Sequence, residues 1–127
     1  MFVRCDKDFP SQIPMNFTQE SVRGCMQMMV YVRRVGLQGG RDTSVVDEIL
    51  QKIDPVRADG KMRKDRSIDF MLDAAQYLFL AKNTKFFADH RVHHNPDNRI
   101  RCNEITSLLY DVTFAGAIAT MEIAVGS

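Results

Sequence analysis

The chain has 127 residues, with 17 Lys and Arg against 16 Asp and Glu, and its formal net charge at pH 7 is +1. Hydrophobic residues make up 45% of it and charged residues 26%. This size and composition predict a single globular domain over residues 1–127 with a core of its own, and they exclude a disordered chain and a disulfide-stapled miniprotein. Because the total charge is near zero, binding to nucleic acid or to an anionic membrane would need a local patch.

The cysteines and the apolar segments predict the compartment. Charged residues stand at the very start of the chain, so no apolar stretch there has the length of a secretory signal. The most apolar window, residues 112–121, is far shorter than the ~20 residues of a membrane-spanning helix. Three cysteines, Cys5, Cys25 and Cys102, are an odd number and suit a reducing compartment. We therefore expect a soluble, cytoplasmic protein that does not enter a membrane.

The amino-terminal segment differs from the rest of the chain. Residues 1–16 contain Pro10 and Pro14, which disfavour a helix. We predict an extended arm over residues 1–16 that lies on a helical body formed by residues 17–127.

Two amphipathic helices are predicted after this arm. The first begins after Thr18, whose hydroxyl can cap it, and ends at Gly36. Its apolar residues follow helical spacing and predict one buried stripe: Val22, Cys25, Met29 and Val32. The second helix begins after a cap at Asp42 or Thr43 and ends at Pro55.

A polar, basic connection over residues 54–66 leads to the most strongly periodic segment of the chain. Apolar residues there stand at steps of three and four and predict one long helix: Ile68, Met71, Leu72, Ala75, Leu78, Phe79 and Phe86. Asn83 and Thr84 could break this helix into two. The turn signature at residues 95–98 requires that it end before that point.

The last predicted helix is capped by Asn103 and is apolar on most sides. So wide an apolar face is typical of a helix at the centre of a bundle or between subunits, so we expect a homo-oligomer formed through residues 105–125. An alternative makes residues 120–125 a strand paired with residues 1–5, although the helical period accounts for more residues. The expected fold is all-α, a compact domain of four to five helices in bundle-like or orthogonal packing.

Basic residues concentrate on both sides of the long helix, in residues 57–66 and 82–101. Guanidinium groups suit phosphate. The glycine-rich loop over residues 36–44 precedes the second helix, and its backbone amides could hold a phosphate to which Arg41 adds charge; the alternative is a plain connection between two helices. The predicted ligands of an anion are Arg91, Arg99, Arg101, Lys85, Asn98 and Arg41. Only a break near Asn83 would bring the two basic segments together, and the alternative is that they are simply solvated loops.

The three histidines cluster in residues 90–94. On a continuous helix, His90 and His94 lie one turn apart, the spacing at which two imidazoles can bind one metal ion. Further ligands could come from Asp89, Asp97, Cys102 and Glu104. The alternative is that histidine and arginine at a helix C-terminus interact favourably with the helix dipole. Cys102, beside Arg101, could act as a nucleophile with His93 or His94 as its base.

Three functions follow from these residues. The favoured hypothesis is a non-catalytic, oligomeric binding protein that holds an anionic ligand, either a nucleotide, nucleic acid or an acidic protein surface, with its arginine-rich segments. The second is a small metal-dependent hydrolase or transferase that acts on a phosphorylated substrate through residues 90–94. The third is a structural assembly protein. No motif identifies a cofactor, and the enzyme question stays open, with a non-catalytic role favoured.

Overall fold

The computed structural model describes the backbone of residues 11–60, 67–90 and 100–126 and the side chains of residues 11–54, 67–90 and 100–120. Its elements in chain order are β1 (Gln12–Phe17), α1 (Gln19–Gln38), α2 (Ser44–Gly60), β2 (Ile68–Asp73), α3 (Ala74–Asp89) and α4 (Cys102–Gly126). The expectation of a mostly helical protein is confirmed. The all-α prediction, however, omitted the two-stranded sheet that β1 forms with β2.

This sheet is an antiparallel ribbon that runs from the pair Gln12 and Asp73 to the pair Phe17 and Ile68. Burial alternates along each strand, so one face supplies the core with Ile13, Met15, Phe17, Ile68, Phe70 and Leu72. The rings of Phe17 and Phe70 meet edge to face with their centroids 5.0 Å apart. The ribbon contacts α2 mainly through β2 and α4 mainly through β1, while its other face stays exposed. Of the predicted arm, residues 12–16 are therefore strand, and residues 1–10 lie outside the described part.

The prediction that a helix begins at Ile68 is wrong. Residues 68–73 form β2, because Ile68, Phe70 and Leu72 alternate with exposed residues and complete the ribbon face. The helix begins only after Asp73, whose carboxylate accepts a hydrogen bond from the Gln76 backbone N–H at 2.7 Å. The Gln76 side chain in turn accepts from the Asp73 N–H at 3.1 Å. This reciprocal capping box marks the true N-terminus of α3.

The face that α3 buries also differs from the predicted stripe. Tyr77, Leu80 and Phe87 are buried, whereas Leu78 and Phe86 are exposed. The predicted stripe began with Ile68, Met71 and Leu72, which belong to β2. Counting helical turns from these strand residues placed the buried face on the wrong side of α3.

The possible break in α3 at Asn83 and Thr84 does not occur. Their side chains donate hydrogen bonds to carbonyls one turn earlier, Asn83 Nδ2 to Phe79 O at 2.8 Å and Thr84 Oγ1 to Leu80 O at 2.7 Å. The two polar residues thus satisfy themselves within a continuous helix, and the predicted route by which the basic segments would converge is lost.

The first helix matches its prediction closely. Thr18 caps α1 by accepting from the Ser21 backbone N–H. Val22, Cys25 and Met29 are buried, and Val32, the fourth predicted residue of the stripe, is partly buried. The helix continues to Gln38, two residues past the expected end at Gly36.

Two further helix ends require correction. The second helix, α2, passes Pro55 and ends at Gly60, so residues 54–60 of the predicted connection are helical. At the start of α4, the residue before the helix is Arg101 and not Asn103, and Glu104 accepts from the Arg101 N–H at 3.1 Å. The helix runs to Gly126, so the alternative strand at residues 120–125 is wrong.

The element order repeats a strand followed by two helices. Residues with the same role in the two halves are the same number of positions apart along the chain: Ile13 and Ile68, Thr18 and Asp73, and Cys25 and Leu80. In each pair both residues are buried or both are helix caps. The same separation also joins Met15 to Phe70, one of the two central pairs of the ribbon. The second helix of each half packs on the strand of the other half.

Two glycines set the distances between helices. A Cβ on Gly24 would lie 2.9 Å from the backbone oxygen of Glu104, so α1 and α4 meet backbone to backbone there. A Cβ on Gly116 would overlap the Tyr77 hydroxyl, which donates to Val112 O at 2.7 Å. Helix α4 is thus held against both α1 and α3. Within the described ranges, no helix combines the length and apolarity needed to cross a membrane.

A candidate ligand cavity between helices α1 and α3

A cavity of about 390 Å³ lies between the C-terminal half of α1, the loop that follows it, and α3. This volume is within the range of small-molecule sites. Four aromatic side chains line it: Tyr31, Phe79, Phe86 and Phe87. Two cations, Arg41 and Lys82, also line it.

The aromatic wall is built from two helices. Tyr31 of α1 meets Phe87 of α3 edge to face, with ring centroids 5.7 Å apart. Phe86 extends the wall, 6.4 Å from Phe87, and is 53% exposed. The Arg34 guanidinium lies 5.2 Å from the centre of the Tyr31 ring. A large exposed aromatic beside a cavity is available to pack against an incoming ring.

The loop between α1 and α2 brings Arg41 to this cavity. Its backbone amides are largely used internally: those of Gly39, Gly40 and Arg41 donate to carbonyls at the end of α1. The Ser44 N–H donates to Asp42 Oδ1 at 2.9 Å. The loop therefore caps two helices, as its glycines permit, and Gly40 has the positive φ of 69° that favours glycine. The predicted contribution of this loop to an anion site is reduced to the Arg41 side chain.

The charges around the cavity favour an anion. Hydrogen bonds from the backbone and side chain of Ser44 lower the pKa of Asp42 below its usual 3.8, so this carboxylate stays ionised and tied to the start of α2. Among the described residues, neither Arg41 nor Lys82 forms an ion pair. Two cations therefore stand against one carboxylate that is already hydrogen-bonded.

The predicted anion ligands do not come together as a group. Arg41 lines the cavity. Lys85 lies on the exposed surface of α3, where its ammonium pairs with Asp89 at 3.1 Å, and the exposed Arg101 precedes α4. The remaining three lie outside the described residues: Arg91, Asn98 and Arg99.

Of the two histidines proposed as metal ligands, the structure describes His90 and not His94. His90 follows α3 as its C-cap, is exposed, and its ring lies 4.4 Å from that of Phe86. This position matches the helix-end alternative. His94 lies outside the described residues, so the metal pair stays a prediction. In the described ranges, no group of three His, Cys, Asp or Glu side chains is placed to hold a metal ion.

Two of the three cysteines are described. Cys25 is fully buried in the core, and burial raises its pKa from 9.0 to about 12, so its thiol stays protonated. Cys102 is exposed at the start of α4. The histidines proposed as its base lie outside the described residues, and the Cys–His hypothesis stays a prediction.

A cluster of three hydroxyls and one carboxylate joins α1 to α4. Ser21 Oγ donates to Asp111 Oδ2 at 2.6 Å and lies 2.7 Å from Ser107 Oγ, while the Thr18 N–H donates to the same carboxylate at 3.2 Å. Ser21 is fully buried. Because these partly buried groups hydrogen-bond to one another where α1 meets α4, we assign the cluster a structural role at the start of α1.

The aromatic cavity is the feature that sequence reasoning missed. Lys82 was grouped with the basic segment and Phe86 with the core stripe, so neither was assigned to a site. Two adjacent phenylalanines on one helix could have signalled it, since a helix cannot bury both neighbours on one narrow face. Comparison of this chain with family models, with curated proteins and with solved structures finds no match.

Proposed function

We propose that the protein is a non-catalytic binding protein that takes a small aromatic anion, of the size and chemistry of a nucleotide, in the cavity between α1 and α3. The observation that carries this proposal is the presence of Arg41 and Lys82 in a cavity walled by four aromatic rings. Aromatic side chains stack on a planar ring whatever its identity, and cations pair with phosphate.

Different residues of the cavity would bind the aromatic ring and the anionic group of the ligand. Phe86, half-exposed beside the cavity, is available to a planar ring. Arg41 offers a planar fork of donors that can bind two phosphate oxygens at once, whereas Lys82 acts as a point charge. The volume of about 390 Å³ accommodates a mononucleotide better than a polymer. This favours a nucleotide over nucleic acid or an acidic protein surface.

The test is isothermal titration calorimetry of the full chain with AMP, ATP, GTP, adenosine and inorganic phosphate. We expect at least one nucleotide to bind more tightly than adenosine or phosphate, because each of those lacks half of the recognised chemistry. Arg41→Ala and Lys82→Ala should each weaken that binding by about tenfold or more, since a hydrogen bond to a charged group contributes roughly 1.5–3 kcal/mol.

The matched control is Arg23→Ala, which removes an exposed cation of α1 that does not line the cavity. Its affinity should equal that of the unaltered chain. Absence of nucleotide binding at millimolar concentration, or equal affinity in Arg41→Ala and the unaltered chain, would rule the proposal out.

A further inference from the structure

A second surface, which shares no lining residue with the cavity, combines the outer face of the ribbon with the exposed side of α4. A groove of about 340 Å³ lies between β1 and α4 and is lined by Pro14, Asn16, Tyr110, Asp111 and Phe114, among others. We call this the ribbon–α4 groove. Its aromatic residues are unusually open, since Tyr110 is 69% and Phe114 58% exposed.

The apolar part of this surface is continuous. Tyr110, Phe114 and Ile118 follow one another at steps of four along α4, and the first two rings are parallel with centroids 6.4 Å apart. Pro14 borders them on β1, and exposed Met71 stands opposite Pro14 across the ribbon. Exposed apolar patches of this kind commonly mark interaction sites.

Charge identifies the partner. The sequences of β1, β2 and α4 contain no lysine or arginine, whereas this side of the molecule carries Asp69, Asp73 and Asp111. Within the described part of the chain, none of these three carboxylates forms an ion pair. An apolar centre with an acidic border is complementary to an apolar segment bordered by lysine or arginine.

We propose that the ribbon–α4 groove docks an amphipathic basic helix of another protein. Apolar residues spaced every four along α4 recur about every 6 Å, which matches the i, i+4 spacing of a partner helix laid alongside. A second copy of this chain fits less well, because the same carboxylates would approach each other and the patch, on the order of 400 Å², is about half of what one partner contributes to a standard interface.

The same charges disfavour duplex DNA. A two-stranded ribbon can enter a major groove, but such binding depends on cations that neutralise phosphates. Here the ribbon presents Asp69 and Asp73 on the face that would enter. DNA binding is therefore an outcome that would contradict the proposal.

The experiment uses two fluorescein-labelled 18-residue peptides with the same helical pattern of leucines, one with lysine and one with glutamate at the polar positions. Fluorescence polarisation with the full chain should show the lysine peptide binding at least tenfold more tightly than the glutamate peptide. Phe114→Ser and Asp69→Lys should each weaken the lysine peptide about fivefold or more. Leu37→Ser is the matched control, because Leu37 is 63% exposed at the far end of α1, and it should leave the affinity unchanged.

Three results would overturn the proposal. The first is equal affinity for the two peptides, or an affinity that Phe114→Ser does not change. The second is a dimer in sedimentation analysis that Phe114→Ser dissociates, since the occupant would then be a second copy. The third is salt-sensitive binding of a DNA duplex that Asp69→Lys strengthens and the lysine peptide displaces.

Discussion

Replacing Gly24 by alanine tests the close contact between α1 and α4. A Cβ at this position would lie 2.9 Å from the Glu104 carbonyl oxygen and 3.1 Å from its carbon. Both are backbone atoms of a helix, so no rotamer change relieves the contact and the two helices must separate by several tenths of an ångström. Such overpacking costs roughly 1–3 kcal/mol, while alanine in place of glycine within a helix returns up to about 1 kcal/mol. We expect a net loss of about 1–2 kcal/mol in the free energy of unfolding.

The assay is equilibrium urea unfolding followed by circular dichroism, where this loss lowers the midpoint by roughly 0.5–1 M. The matched control is Gly39→Ala. Its Cβ would have its closest contact at 3.6 Å, and its φ of −88° suits any residue. Its free energy of unfolding should therefore stay within about 0.5 kcal/mol of that of the unaltered chain. A Gly24→Ala variant as stable as the unaltered chain would refute the inferred backbone contact.

Three further predictions concern buried polar groups. Tyr77→Phe removes the hydroxyl that donates to Val112 O and should lower the free energy of unfolding by about 1 kcal/mol in the same urea assay. Asp111→Ala leaves the buried Ser21 hydroxyl without its 2.6 Å acceptor, so the loss should be larger, on the order of 1–3 kcal/mol, and a loss below that of Tyr77→Phe would contradict the assigned structural role. Burial raises the pKa of Cys25 to about 12, so only the thiol of the unfolded chain ionises as the pH rises above 9.0. The free energy of unfolding of the unaltered chain should therefore fall relative to that of Cys25→Ala between pH 9.0 and about 12. A constant difference between the two proteins would argue against burial of the thiol.

Local signals were sufficient for α1 and for much of α2. The hydroxyl of Thr18 and the stripe of Val22, Cys25 and Met29 act within a few residues of one another, so the sequence alone located the helix and its buried face. The composition of its loop likewise drew attention to Arg41, which lines the cavity; its role as an anion ligand stays a prediction.

Nonlocal features could not be predicted in this way. The segment from Ile68 to Asp73 fits both a strand and a helix, and the choice depends on β1, a partner more than fifty residues earlier in the chain. The cavity also depends on tertiary structure, because Tyr31 and Phe87 belong to different helices. The face of α3 that carries Phe87 could be predicted only once residues 68–73 were known to be a strand. Asn98 and Arg99 lie outside the described residues, so their predicted role as anion ligands stays a prediction.

The exchange of helices between the two halves has a consequence for how the chain folds. Strand β1, near the beginning of the chain, is covered by α4, near its end, while β2 is covered by α2. Neither strand can hide its apolar face within its own half, so the loops between distant segments must close before much apolar surface leaves water. Nonlocal contacts of this kind slow folding. A nascent chain in which α4 has not yet been synthesised would still expose Ile13, Met15 and Phe17, so the ribbon is covered only once α4 is available.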